Sequence, residues 1–462
     1  MSRPAANITL VFILIAYLAL GTAYALQTPA WQAPDEPAHY NYIQFIAEKH
    51  ALPILRQGEY DQAYLEEFTR TPQNVASLSI DPLRYEDYAP PLYYLLAAPI
   101  YALTGGWITA IRLFSVVLGG ALVVVAYLVG AEAYPHQLPF ALGGAAFVAF
   151  VPQHLAMMSA VNNDSLSELL IALVVLQCMR FFRFERISKR KLILLGVTLG
   201  LGLLTKATFY YTAVPIAVIA LILYARRHTL RITHYVLVFA PALVIGSIWW
   251  LRNLIVYGGL DVMGLARHNA VVVGQPATAQ WLSDYGASGL LQRFFTTTYR
   301  SFWGQFGWMS TPLPEREYLL LGVLCIVALI GWVWWLAARR RGQEAGGQSP
   351  KSTQPLYAGL LLSLWLALTV GGYVYYNLTF VQHQGRYLFP ALIPIGLAFA
   401  IGWWQVLDQI KSLVTRRLSR AARDFAPWLE QAQLISFALI FIYLARLDLV
   451  ALQRYIIPTL SP

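Results

Sequence analysis

Apolar runs of about 20 residues recur from one end of this 462-residue chain to the other, and this recurrence limits the fold more than any other feature. Such runs match the thickness of a bilayer core, where each helix must satisfy its own backbone amides. Charge is scarce: 12% of residues are Asp, Glu, Lys or Arg, against 58% hydrophobic. A soluble domain would carry about twice that charge. The chain therefore reads as an all-α, polytopic integral membrane bundle.

The runs predict about eleven transmembrane helices, near 7–26, 107–131, 139–153, 165–182, 192–206, 209–225, 233–251, 317–337, 355–375, 387–405 and 434–452. The opening run, with Arg3 before it and Ala23-Tyr24-Ala25 after it, also resembles a signal peptide. Its length favours an uncleaved first span. With the N terminus cytoplasmic, the clusters Arg183/Arg186/Lys189/Arg190/Lys191, Arg226/Arg227, Arg339/Arg340/Arg341/Lys351 and Lys411/Arg416/Arg417/Arg420/Arg423 all fall on the cytoplasmic side. That agreement follows the positive-inside rule and accounts for the formal charge of +10 without nucleic acid. The scheme needs residues 90–104, short and Pro-punctuated, to be an interfacial or re-entrant helix. The alternative is that they cross and a later segment does not.

Ten of the 23 acidic residues lie within 27–89, on the outer side of this topology. Long non-membrane segments are expected at 27–106 and 253–316 outside, and at 406–433 inside, the last an amphipathic Arg-rich stretch on the anionic leaflet. Residues 341–354 read as a flexible loop, and no soluble domain is expected after the last span. Cys178 and Cys325 lie in apolar spans far apart and read as buried free thiols.

Adjacent carboxylates just outside a bilayer need a reason to be there. Pro34-Asp35-Glu36-Pro37 precedes a stripe of Tyr42, Ile43, Phe45 and Ile46, which predicts an amphipathic helix lying on the outer membrane surface. Asp35 or Glu36 suits the cap of that helix, with Pro37 in its first turn. A helix needs one cap, however, and here two acids and His39 cluster within five residues. A cap and a carboxylate at the mouth of a membrane cavity both remain open readings. The acidic tract from Glu59 to Glu67, and the charges Glu86 and Asp87 farther on, read as a solvated surface. The Tyr-rich stretch with Tyr88, Pro90-Pro91 and Tyr93 reads either as an aromatic belt or as a groove for sugar or lipid.

Other polar residues sit at outer span ends. Asn162-Asn163-Asp164-Ser165 offers an N-cap or a second carboxylate facing the same cavity. Lys206 either snorkels or binds an anion. Arg252, after Trp249-Trp250-Leu251, stands where the positive-inside rule disfavours a cation. His383-Gln384-Gly385-Arg386-Tyr387 presents an Arg fork suited to phosphate, with Gly385 allowing close backbone approach. Isolated cations on the outer face, with carboxylates nearby, suggest a site for a phosphorylated lipid. No HExxH, CxxC, GxSxG or P-loop pattern is present.

In order along most of the chain, these motifs resemble the GT-C superfamily of integral membrane glycosyltransferases. They are Asp35-Glu36, Pro90-Pro91-Leu92-Tyr93-Tyr94, Arg112-Leu113, Asp164, the Gly-rich span ending in Lys206, Trp249-Trp250-Leu251-Arg252-Asn253 and Arg386-Tyr387-Leu388-Phe389-Pro390. The similarity is to the protein O-mannosyltransferase and lipid A aminoarabinose transferase branch, in a bacterial subfamily. The resemblance implies a GT-C-like bundle in a bacterial inner membrane. It also implies a polyprenyl-phosphate-linked sugar as donor, inversion at the anomeric carbon, and an extracytoplasmic active site. Asp35 would then be the general base, and Glu36 or Asp164 would orient the acceptor or bind a metal. Lys206 and Arg386, with Arg252, would hold the donor phosphate. His39, Tyr88, Tyr93, His383 and Tyr387 would line the substrate groove. Two departures stand out. No soluble acceptor-binding domain is recognisable, and no Asp-x-Asp follows the first span, which leaves a divalent metal open, with the branch implying none. The competing readings are a phosphoethanolamine-type transferase, a polyprenyl-lipid flippase or transporter, and a non-catalytic lipid-binding partner. The first would need a Thr nucleophile and zinc ligands. The second would need charges at mid-span and internal repeats.

Overall fold

A computed structural model describes residues 1–344, 354–417 and 426–462. Of the flexible loop expected at 341–354, residues 341–344 and 354 are helical and the rest fall outside them, as does part of the 406–433 segment. Of the latter, 406–417 continue one long helix and 426–433 open the next, so their described parts belong to helices that run on into the bundle.

Helix α1 (Arg3–Gln27) starts at Ser2, whose Oγ accepts from the Ala5 amide, with Pro4 in the first turn. The first loop then folds into α2 (Glu36–Lys49), α3 (Gln62–Phe68), α4 (Pro72–Ser77) and α5 (Leu92–Thr104). Asp61 and Thr71 cap α3 and α4 through their side chains. Next come α6 (Ile108–Ala133), α7 (Leu138–Phe150), α8 (Pro152–Met158), α9 (Asp164–Phe181), α10 (Lys189–Leu203), α11 (Ala207–Ala225) and α12 (Ile232–Tyr257). The second loop holds α13 (Leu265–Val271) and α14 (Thr278–Trp303), the latter interrupted at Gly286, where φ is +67°. A hairpin of β1 (Gln305–Phe306) and β2 (Thr311–Pro312) pairs Gln305 with Pro312 and Phe306 with Thr311. The chain finishes with α15 (Glu315–Glu344), α16 (Gln354–Asn377), a 3-10 turn over Gly385–Ala391, α17 (Leu392–Arg417), α18 (Ala426–Ala451), a π turn over Leu452–Ile456 and α19 (Ile457–Leu460).

Among the described residues, eight helical stretches are long and apolar enough to cross a membrane, or nine if α7 and α8, bent by 66° at Pro152, form one broken span. The count of about eleven is thus not reached by length and apolarity. Helices exist at all eleven expected places, but α10 has only 15 residues and α9 carries Asp164, Glu168 and Arg180. Residues 92–104 form a short apolar helix, ended by Gly105 in the left-handed region.

The core lies where α6, α7, α9 and α17 pack together, flanked by α1, α18 and the α10–α12 pair. Small residues let the helices close in: a Cβ on Gly331 of α15 would collide with the backbone of Gly402 on α17. A separate small cluster of Ala38, Phe68, Val75, Leu83, Tyr85 and Val272 joins α2 to the rest of the first loop and to the second.

One expectation changes here. Helix α2 does not lie on lipid with its apolar stripe. Tyr42 and Ile43 are fully buried, Tyr42 stacks on Tyr94 of α5 at 3.8 Å, and its hydroxyl donates to the Ala89 carbonyl. The periodicity was that of an amphipathic helix, but the apolar partner is protein.

Candidate active site

The two adjacent carboxylates of the first loop part company. Asp35 occupies the N-cap position of α2 with a left-handed backbone, φ +65°, and makes no side-chain cap bond. Its carboxylate instead accepts from the Tyr85 hydroxyl at 2.9 Å and from the Arg386 guanidinium at 2.7 Å. The cap reading of Asp35 is therefore not what its side chain does. A positive φ at a non-glycine residue costs on the order of 1 kcal/mol, least for Asn and Asp. Here it turns the carboxylate out of the helix start.

Glu36 turns the other way. It is fully buried and forms a bidentate pair with Arg112 of α6, at 2.8 Å to Nε and 2.6 Å to Nη2. Its oxygens also accept from the amides of Trp31 and Val161. Arg112 spends its remaining donors on the carbonyls of Ala25, Thr28 and Pro29. Both partners are saturated, so the pair ties the end of α1, the start of α2 and α6 together. The structure leaves Glu36 no free oxygen for an acceptor or a metal.

A second ion pair mirrors the first. Asp164, at the start of α9, meets Lys206 of the α10–α11 corner at 2.6 Å. The Asn162 side chain, not that of Asp164, receives the Asp164 amide and so closes the turn. Unlike the Glu36–Arg112 pair, these groups reach solvent: side-chain exposure is 26% for Asp35, 12% for Arg386, 24% for Asp164 and 28% for Lys206. Between the pairs, His39 Nδ1 lies 2.8 Å from the Tyr94 hydroxyl, which also accepts from Asn163.

The electrostatics follow from this arrangement. Burial raises Asp35, but the charge of Arg386 and the hydrogen bonds from Arg386 and Tyr85 outweigh it and hold the carboxyl below its ordinary range. Burial and the nearby Lys206 push His39 down to about 3, so its ring is neutral. Lys206 is raised: burial works against its charge, and Asp164 more than compensates.

Glu86 was read in the sequence as part of a solvated run. Its side chain is partly buried, between Tyr85, which donates to Asp35, and Tyr88, whose ring lies 4.3 Å from that of His268. Burial first, and the charge of Asp35 next, raise Glu86 to about 7, while Lys206 and Arg386 oppose the rise. Neither Tyr85 nor Glu86 was singled out by sequence reasoning. The alternation of aromatic and acidic residues in Tyr85-Glu86-Asp87-Tyr88 was the available signal.

The remaining expected residues sit elsewhere. Arg252 donates to the Pro53 carbonyl and to Asn253, and lies over the rings of Trp249 and Tyr257, so it fastens residues near 53 to the end of α12. Tyr93 is fully buried, shares a hydrogen with Ser115 and accepts from the Asn162 amide, which removes it from any groove. His383 is buried edge-on against Trp281 and Phe294. Tyr387 stays beside the site, its ring 5.4 Å from the Arg386 guanidinium. Gly385 donates to Ser301 Oγ, and a Cβ there would run into the backbone of Phe302, so glycine is what seats Arg386. Among the described residues, no three of His, Cys, Asp or Glu are grouped so as to hold a metal ion.

Residues 18–395 match the family described as "Predicted membrane protein (DUF2142)". The chain belongs to this family. No curated protein matches the sequence. Solved structures are similar across the whole chain. ArnT from Cupriavidus metallidurans in the apo state superposes with a TM-score of 0.51 at 14% identity, covering 99% of this chain and 74% of that one. The same ArnT bound to undecaprenyl phosphate gives 0.49 at 13% identity, covering 100% and 74%. The Archaeoglobus fulgidus oligosaccharyltransferase, tethered to an acceptor peptide containing the NVT sequon, gives 0.52 at 11% identity, covering 100% of this chain and 55% of that one. The fold of this multi-pass membrane protein is that of the GT-C glycosyltransferases.

Proposed function

We propose that this protein transfers a glycosyl group from a polyprenyl-phosphate donor to an acceptor hydroxyl on the extracytoplasmic side, with inversion. The observation that carries this reading is the two ion pairs that reach solvent, Arg386–Asp35 and Lys206–Asp164, on a GT-C bundle. Each holds a phosphate-binding cation against a carboxylate that a phosphate can replace. A planar guanidinium and an ammonium are the two side chains best matched to phosphate oxygens.

The chemistry then follows from exchange of partners. An arriving phosphate draws Arg386 from Asp35, and the carboxylate that had been held low regains basicity. The acceptor oxygen attacks the anomeric carbon from the face opposite the phosphate, and its proton passes to Asp35. The anomeric carbon–oxygen bond breaks and its electron pair leaves on the phosphate. Arg386 and Lys206 face the charge that builds there, which is the larger contribution to the rate. Asp164, released from Lys206, is free to orient the acceptor. The polyprenyl chain is a membrane lipid and reaches the site within the bilayer.

The test is a transfer assay with purified protein and a panel of polyprenyl-phosphate sugars, read by mass spectrometry of released polyprenyl phosphate. Asp35→Asn is expected to lower turnover by at least about 100-fold while the protein stays folded, with a small drop in thermal midpoint and with donor binding in place. Full turnover in that variant would sink the base assignment.

A further inference from the structure

A third polar pair, buried in the bundle, takes no part in the proposed chemistry. His154 of α8 is 1% exposed and Glu168 of α9 is 3% exposed, and His154 Nε2 lies 3.2 Å from Glu168 Oε2. The bend between α7 and α8 fixes which ring nitrogen faces the acid. Pro152 has no N–H to give to the Val148 carbonyl four residues before it, and His154 Nδ1 stands in at 2.7 Å. A carbonyl oxygen only accepts, so Nδ1 carries a hydrogen. Nε2 is thereby left for Glu168.

The number of protons between them follows. With none, a nitrogen lone pair would face a buried, uncompensated carboxylate. With one on each partner, a buried imidazolium would lack a counter-charge. A single proton leaves the pair neutral and hydrogen-bonded, whether written as imidazolium and carboxylate or as imidazole and carboxylic acid. The groups that act on Glu168 from outside leave this balance in place. Asp164 and Lys206 are themselves paired at 2.6 Å, and Tyr17 contributes only a phenol.

The pair also touches both halves of the candidate site. Glu168 is one turn along α9 from Asp164, on the same face of the helix. The His154 ring stands edge-on to Phe389 at 5.2 Å. Phe389 lies three residues past Arg386 in the 3-10 turn over Gly385–Ala391. Its ring also meets that of Phe302 at 5.6 Å, the residue whose backbone leaves no room for a Cβ at position 385. We propose that His154 and Glu168 are positioning residues that share one proton and join α8, α9 and the 3-10 turn, so fixing Asp164 and Arg386 relative to each other. Both are sealed from solvent, so neither touches substrate. The positioning role rests on the glycosyl-transfer reading, whereas the shared proton does not.

Two measurements test this. Full-length protein carrying nitrogen-15 histidine is followed by NMR in nanodiscs between about pH 5.5 and 8.5, with His154→Gln assigning the signal by its loss. The His154 ring is expected to show a protonated Nδ1 and no change across that range. A bare Nδ1, or a ring that titrates there, would overturn the shared proton. The second measurement is the transfer assay at saturating donor. Glu168→Gln keeps the link, because its amide donates to a neutral His154 Nε2, and is expected to turn over within about threefold of wild type. Glu168→Leu removes the link but leaves His154 on Val148, and is expected to lower kcat by about tenfold or more while the protein stays folded. Wild-type kcat in Glu168→Leu would overturn the positioning role. A folded but inactive Glu168→Gln would overturn it too, since the proton would then serve the chemistry. Should Glu168→Leu fail to fold, Phe389→Leu withdraws the ring that His154 meets and is expected to lower kcat likewise; wild-type kcat there would overturn the role. Absence of transfer by wild type with every donor would sink the glycosyl-transfer reading and the positioning role with it, while the shared proton stands or falls by NMR.

Discussion

Glu36–Arg112 and Asp35–Arg386 are both short carboxylate–guanidinium pairs, and their carboxylates are neighbours in sequence. In the first pair every oxygen and every donor is used, and both side chains are sealed from solvent. In the second, both side chains reach solvent and Arg386 Nε has no partner at all. A pair that is buried and complete can only be broken at great cost, so it serves the fold. A pair that is accessible and incomplete can trade partners, so it suits a ligand site. Geometry around the contact, rather than the contact itself, separates the two uses.

The comparison can be broken most forcefully at Arg112. Arg112→Ala leaves Glu36 charged and enclosed, and is expected to cost about 3–5 kcal/mol, enough to prevent recovery of folded protein, as read by size-exclusion profile and thermal unfolding in detergent. Stable Arg112→Ala protein would contradict the structural role. Gly385→Ala should act on the exchangeable pair instead, displacing Arg386 and lowering turnover by about 100-fold, with a small change in unfolding temperature. Lys206→Gln is expected to weaken polyprenyl-phosphate binding by about tenfold, the loss of one charge-assisted contact, while binding of polyprenol is unchanged. The smallest effect is a pH dependence. The Asp35 carboxyl is lowered in the folded protein, so its contribution to stability is present above its unfolded value of about 3.9 and is lost as pH falls through the folded value. The gap in thermal midpoint between wild type and Asp35→Asn should therefore be constant from pH 8 to pH 5 and close only below about pH 4.

The same contrast explains what could be read in advance. The helices, the short helix near 92–104 and the isolated cations at span ends were legible because apolar length and misplaced charge are local signals. Asp35, Asp164, Lys206 and Arg386, which the structure joins into two pairs, were all singled out on that basis. Glu36 was not separable from Asp35, because the separation comes from a single positive φ and from Arg112, which lies 76 residues away. Arg252 carried the same wrong-side signal as Arg386, yet it is taken up by the Pro53 carbonyl and two aromatic rings. Glu86 was concealed by its company, since a run of charges in a loop looks solvated until the loop is seen to fold back onto the bundle.

The left-handed backbone at Asp35 also governs how this position can drift. Asn and Gly are the residues that share tolerance for that conformation, and each is a single nucleotide change from an Asp codon. Both would keep the start of α2 and the neighbouring Glu36–Arg112 tie, and both would remove the carboxylate. Lineages that lose the base should therefore do so through well-folded proteins that still hold the lipid, which makes a silent relative with Asn or Gly at this position the easiest one for evolution to produce.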